Sequence, residues 1–155
     1  MKSDNPFRHF AIPFGIAVLV YIIFYFGIEH RRTRKGAWEV TFTNDVSGAP
    51  ALLINETNLG IAHLQITFPG ETNRTESTSL VFSQPHEVPY DIPFGKCVFM
   101  DTTFLPGTIV FDLFGHEIQL IPRVLTIDKK EIPWESNMTI PVAKTNPVAS
   151  VSRIR

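Results

Sequence analysis

The chain holds a single cysteine, Cys97, so it cannot form an intramolecular disulfide. Surplus basic charge is also lacking: 14 Lys and Arg stand against 15 Asp and Glu, for a net charge of −1. Phosphate binding needs a basic surface, so this balance argues against nucleic acid as a partner. There is no G-x-S-x-G elbow, no glycine-rich phosphate loop, no internal repeat and no low-complexity segment. No segment after Ile28 sustains a 3.6-residue apolar period, which leaves little room for a helical or α/β domain.

The residue types that carry chemistry are present but scattered. His63, His86 and His116 share neither H-x-H nor H-x₃-H spacing, so they show no metal pattern. Asp91, Asp101 and Asp112 stand alone on short strands, where acids are usually solvated or bonded to nearby backbone. Ser79 and Ser83 have nothing to mark them as nucleophiles. Cys97 has no histidine signature around it, and its neighbours Val98 and Phe99 mark it as a small core residue. These residues assign no catalytic, cofactor or metal role, and the chain reads as a non-enzyme.

What is plentiful is apolar length. Residues 10–28 (FAIPFGIAVLVYIIFYFGI) carry no charge. At ~1.5 Å per residue such a helix measures about 28 Å, close to the ~30 Å hydrocarbon core of a bilayer. A cleaved secretory signal would have a shorter apolar core of ~7–15 residues and a small-residue cleavage site. Here Gly27, Ile28, Glu29 and His30 offer no such site, and a basic flank follows at once. Pro13 is expected in the first turn, where its missing N–H costs little. Tyr25 and Phe26 fall where aromatic rings favour the headgroups.

Charge beside the span sets orientation. Arg31, Arg32, Arg34 and Lys35 against Glu29 outweigh Lys2, Arg8 and the α-amino group against Asp4, which places the larger C-terminal part in the cytoplasm. The same cluster could attract anionic lipid, although its role as a topology determinant accounts for it.

From Trp38 onward the apolar period is two. Trp38, Val40 and Phe42 alternate with polar residues, as do Leu64, Ile66 and Phe68. Segments 51–55, 80–82, 95–101, 108–114, 117–121 and 123–128 read as further strands. Gly115-His116 is expected to form a two-residue type II′ hairpin turn, putting Ile109, Phe111 and Leu113 on one face opposite Ile118 and Leu120. Residues 128–131 read as a charged turn. About seven to nine short strands at this spacing, with prolines between them, indicate an antiparallel β-sandwich or small open barrel. The expected fold is therefore an all-β domain preceded by one N-terminal transmembrane α-helix. Its parts are an N-terminal tail (1–9), the span (10–28), a basic juxtamembrane linker (29–36), the β-domain (37–142) and a flexible tail (143–155).

Three N-x-[ST] sequons begin at Asn55, Asn73 and Asn137, but glycosylation would contradict a cytoplasmic domain. The segment 93–107 is dense in Phe, Gly and Pro, and Phe94, Phe104 and Leu105 lie beside its turn residues. These three are the candidate contact residues of an exposed apolar patch. The reading is a single-pass membrane protein whose β-domain acts by binding, as an accessory or assembly subunit of a larger membrane complex. The expected partners are the lipid bilayer and a membrane protein. The alternative is a ligand- or lipid-binding β-domain at the membrane surface, with a membrane-bound hydrolase or metal-dependent enzyme behind it.

Overall fold

In the computed structural model, residues 6–33, 36–72 and 76–143 are described. Arg34, Lys35, Asn73 and the tail from 144 onward lie outside them. The first element, α1 (Pro6–Thr33), is one continuous helix. It contains a stretch, Phe10–Arg31, long and apolar enough to cross a membrane, and none of it is buried against the rest of the chain. Apolar side chains project on every side of it, so it has no single core-facing stripe. Its bounds differ from expectation at both ends. Residues 6–9 are helical, so Pro13 lies inside the helix and leaves the carbonyl of residue 9 without its usual amide partner. Residues 29–33, expected as linker, continue the helix and carry Arg31 and Arg32 on its last turn.

The remainder is a two-layer sandwich. Among the described residues its strands are β1 (Trp38–Asn44), β2 (Pro50–Glu56), β3 (Ile61–Thr67), β4 (Thr78–Phe82), β5 (Tyr90–Ile92), β6 (Gly95–Asp101), β7 (Thr108–Leu113), β8 (His116–Ile121), β9 (Val124–Ile127), β10 (Lys130–Ile132) and β11 (Thr139–Pro141). One sheet has the order β11-β3-β2-β1-β4, the other β10-β9-β8-β7-β6-β5. The second is a plain meander in which every strand pairs with its neighbour in sequence. The chain crosses between sheets after β4 and after β10. Pairings are antiparallel except β11, which lies parallel to β3. Three sheet edges are closed by three-residue strands (β5, β10 and β11), which limits the open backbone offered to other chains.

Alternation places Trp38, Val40 and Phe42 of one sheet against Ile109, Phe111 and Leu113 of the other, all fully buried. The rings of Phe42 and Phe82 meet Phe111 at 6.3 and 5.4 Å. Each such fully buried side chain contributes ~1.5–3 kcal/mol relative to exposure. Trp38 packs at 5.1 Å on Trp134, which follows β10, with the rings tilted by 32°. The Trp38 indole donates to the Gly107 carbonyl (3.1 Å) and the Trp134 indole to that of Ile121 (2.9 Å). Trp38 is therefore fully buried and Trp134 partly so, and each satisfies its single donor.

The hairpin between β7 and β8 corrects the expected turn by one residue. Leu113 pairs with His116, so the central residues are Phe114 and Gly115, with φ of 54° and 83°. Positive φ at both positions is the type I′ geometry, whose twist matches that of the strands. The expected facing of Ile109 and Phe111 with Leu120 and Ile118 is present in the register. Asp128 and Lys129 (φ 49° and 66°) make the same two-residue connection between β9 and β10. Lys130 and Glu131 thus lie in a strand, not in the turn.

The sandwich has two distinguishable ends. Only four residues, 34–37, lie between Thr33 and Trp38, and these five Cα steps reach at most ~17 Å. The Trp38 end therefore lies next to α1. It gathers the β2–β3 connection (residues 57–60), the β6–β7 loop (102–107), the β8–β9 turn (122–123) and the segment around Trp134. The distal end carries the turns at 45–48, 93–94, 114–115 and 128–129.

Candidate functional site

Strict alternation along β6 would point Cys97, Phe99 and Asp101 into the core. The structure avoids burying Asp101 with a β-bulge. Cys97 pairs with Phe111 and Phe99 with Val110, so Val98 is an extra residue and both Val98 and Phe99 oppose Val110. Beyond the bulge Met100 turns inward, opposite buried Ile109, and packs on the core. Asp101 stays at the surface, where its Oδ1 accepts the Thr103 amide at 3.0 Å. Bonding to the Thr103 backbone and hydroxyl holds its carboxyl below the usual carboxylate value. The cost of this solution is two apolar side chains turned outward: Val98 is 39% and Phe99 48% exposed. They sit beside half-buried Val110 on the outer face of the six-stranded sheet.

The segment read as one contact patch is divided between the two ends of β6. Phe94 is 8% exposed, not a surface residue. Its ring lies against Phe42 at 5.7 Å and Phe114 at 5.6 Å, because the Pro93-Phe94 turn (φ of Phe94, 73°) folds it over the distal mouth of the core. As a contact residue, Phe94 is therefore corrected to core. Phe104 and Leu105 stand at the other end, in the 102–107 loop, where Phe104 is 57% exposed and Leu105 half-buried. Of the basic flank, Arg31 is exposed at the end of the apolar helix, and Arg32 follows it.

Titratable side chains form pairs without assembling into one site. Cys97 is free and fully buried, and its thiol donates to the Phe99 carbonyl at 3.5 Å. Burial raises the Cys97 thiol, while bonds to Tyr90 and the Phe99 carbonyl offset this in part. Burial, with Cys97 alongside, pushes up the Tyr90 hydroxyl. At the distal end His116 Nδ1 lies 2.7 Å from Asp128 Oδ2, and Asp128 Oδ1 accepts the Glu117 amide at 3.0 Å. This pair clamps the start of β8 to the β9–β10 turn. His63 is exposed at the base of β3, with its amide bonded to Asn55 Oδ1 at 2.8 Å. His86 lies 5.5 Å from the Tyr90 ring. Asp91 and Asp112 both flank Lys96 in the register, and Asp101 stands at the opposite end of β6. Among the described residues no group of three or more His, Cys, Asp or Glu is placed to hold a metal ion.

Two of the three sequons are visible. Asn55 is half-buried with its side-chain oxygen engaged by His63, and Asn137 is exposed in a turn with φ of 59°.

The outward pair Val98 and Phe99 was missed by reading the strand as alternating. The signal lay in the contiguous run Cys97-Val98-Phe99-Met100 followed by Asp101. Four apolar residues cannot share one face of a regular strand, and the aspartate falls on the inward parity.

Compared with family models, curated proteins and solved structures, the chain has no match.

Proposed function

We propose that this chain is a single-span membrane protein whose β-sandwich works by contact, as an accessory or assembly subunit docked on a larger membrane complex. The observation that carries this reading is the bulge in β6, which sets Val98 and Phe99 side by side on an outer sheet face. Exposed apolar side chains grouped beside half-buried Val110 form the kind of small patch that marks a protein contact. The apolar helix supplies the anchor, and the basic residues after it favour a cytoplasmic sandwich.

The test is co-elution of the intact chain from a mild detergent, compared with a Phe99→Ser variant. The same partner should accompany the wild type and be lost from the variant, with both proteins equally folded. An unchanged partner set in the variant would remove this face as the docking site. A reporter active only outside the cytoplasm, fused after Arg155, should stay silent, and its activity would reverse the orientation.

A further inference from the structure

We propose that the helix-proximal end of the sandwich rests on the phospholipid bilayer, with Phe104 seated among the headgroups. This rests on the reading of α1 as a membrane span. Chain reach limits where the sandwich can sit. The tether from Thr33 to Trp38 extends at most ~17 Å, whereas β1 alone, seven residues at ~3.3 Å, is about 23 Å long. A tether shorter than the sandwich keeps the Trp38 end near the membrane and the distal end away from it.

Two contacts then fix which loops occupy that end. Gly36 lies against the β2–β3 connection so closely that a Cβ there would sit 2.9 Å from Asn58 Nδ2. That connection is itself held by the Glu56 carboxylate, which accepts from the Leu59 amide. Trp38 Nε1 is bonded to the carbonyl of Gly107, three residues from Phe104. The loop carrying Phe104 is braced at its base. A Cβ on Gly107 would meet the Asp101 carbonyl oxygen at 2.1 Å, Asp101 caps Thr103, and Thr102 is buried. A braced loop holding a 57% exposed phenylalanine beside a membrane anchor suits the interfacial zone, where aromatic rings are favoured. Of the described charges near this end, Arg123 in the β8–β9 turn and Arg31 on the helix attract anionic headgroups, while Glu29, Glu56, Glu87, Asp101 and Glu135 oppose them, so the aromatic ring rather than net charge carries the docking.

The experiment places an NBD fluorophore on cysteine at one of three sites in the full-length protein: Phe104→Cys, Val46→Cys at the distal turn, or Leu19→Cys within the helix. Cys97 is fully buried and stays unlabelled in the folded chain. Each is reconstituted in phosphatidylcholine–phosphatidylglycerol vesicles containing nitroxide lipids. The label at 104 should lose most of its emission to a headgroup nitroxide and resist aqueous iodide. The label at 46 should do the reverse, and the label at 19 should be quenched by a mid-chain nitroxide. Quenching at 19 with water exposure at 104 overturns the docking alone, as does equal lipid quenching at 46 and 104. No quenching at 19 overturns the span and the docking with it.

Discussion

Phe94 and Phe114 stack across the distal mouth of the sandwich, ring centroids 5.6 Å apart and planes 28° from parallel, and both have positive φ (73° and 54°). Bulky residues rarely take that backbone region, and each such residue costs of order 1–3 kcal/mol. Here two turns, 93–94 and 114–115, each place an aromatic ring over the core end, and Phe42 and Phe68 close the cluster at 5.7 and 5.1 Å. The packing of the rings offsets the strain of their backbones.

Phe94→Ala removes a buried ring without relieving the strained backbone, and should destabilise the domain by ~3–5 kcal/mol. Phe104→Ala, at an exposed loop, should change stability by no more than about 0.5 kcal/mol. Thermal unfolding of the two full-length variants checks this. Similar melting temperatures for both would mean that Phe94 is not a core residue.

Glycines of different kinds should respond differently. At Gly95 a Cβ would lie 2.0 Å from the backbone oxygen of Asp112, so the β6–β7 pairing must shift to admit it. At Gly115 a Cβ meets nothing within 4 Å, and only the positive φ of 83° opposes it. Gly115→Ala should therefore cost ~1–2 kcal/mol, the ordinary penalty of the left-handed region. Gly95→Ala should cost distinctly more. Denaturant midpoints of both variants decide the order.

Alkaline pH should loosen the β5–β6 edge. The raised thiol of Cys97 and raised hydroxyl of Tyr90 keep their protons in the folded chain at a pH where the unfolded chain releases them. The folded state then binds more protons, so stability falls as pH rises. The contribution is complete at neutral pH and declines above the ordinary values of 9.0 for the thiol and 10.0 for the phenol. Cys97→Ala should lose the part of the decline that starts near the thiol value, as read by melting temperature across this range. An identical pH profile in the variant would contradict it.

The apolar helix, the two-faced strands and the sandwich were legible because each rests on a repeating pattern in sequence. The short edge strands β5, β10 and β11 were not, since three residues are too few to show alternation and their pairing comes from the sheets beside them. Gly115 announced a hairpin, yet its position within the turn depended on Phe114 accepting positive φ. That tolerance comes from contacts with Phe68 and Phe94, distant in sequence. The same holds for the candidate contacts: local composition could not distinguish Phe94, folded over the core, from Phe104, held away from it.

The most direct test of docking through the β6 face is photo-crosslinking in native membranes. Benzoylphenylalanine would replace Phe99, or Val81 on the outer face of the other sheet, which is 62% exposed. The account predicts a discrete protein adduct from position 99 and none from position 81. No protein adduct at 99, or the same adducts from both positions, would contradict it.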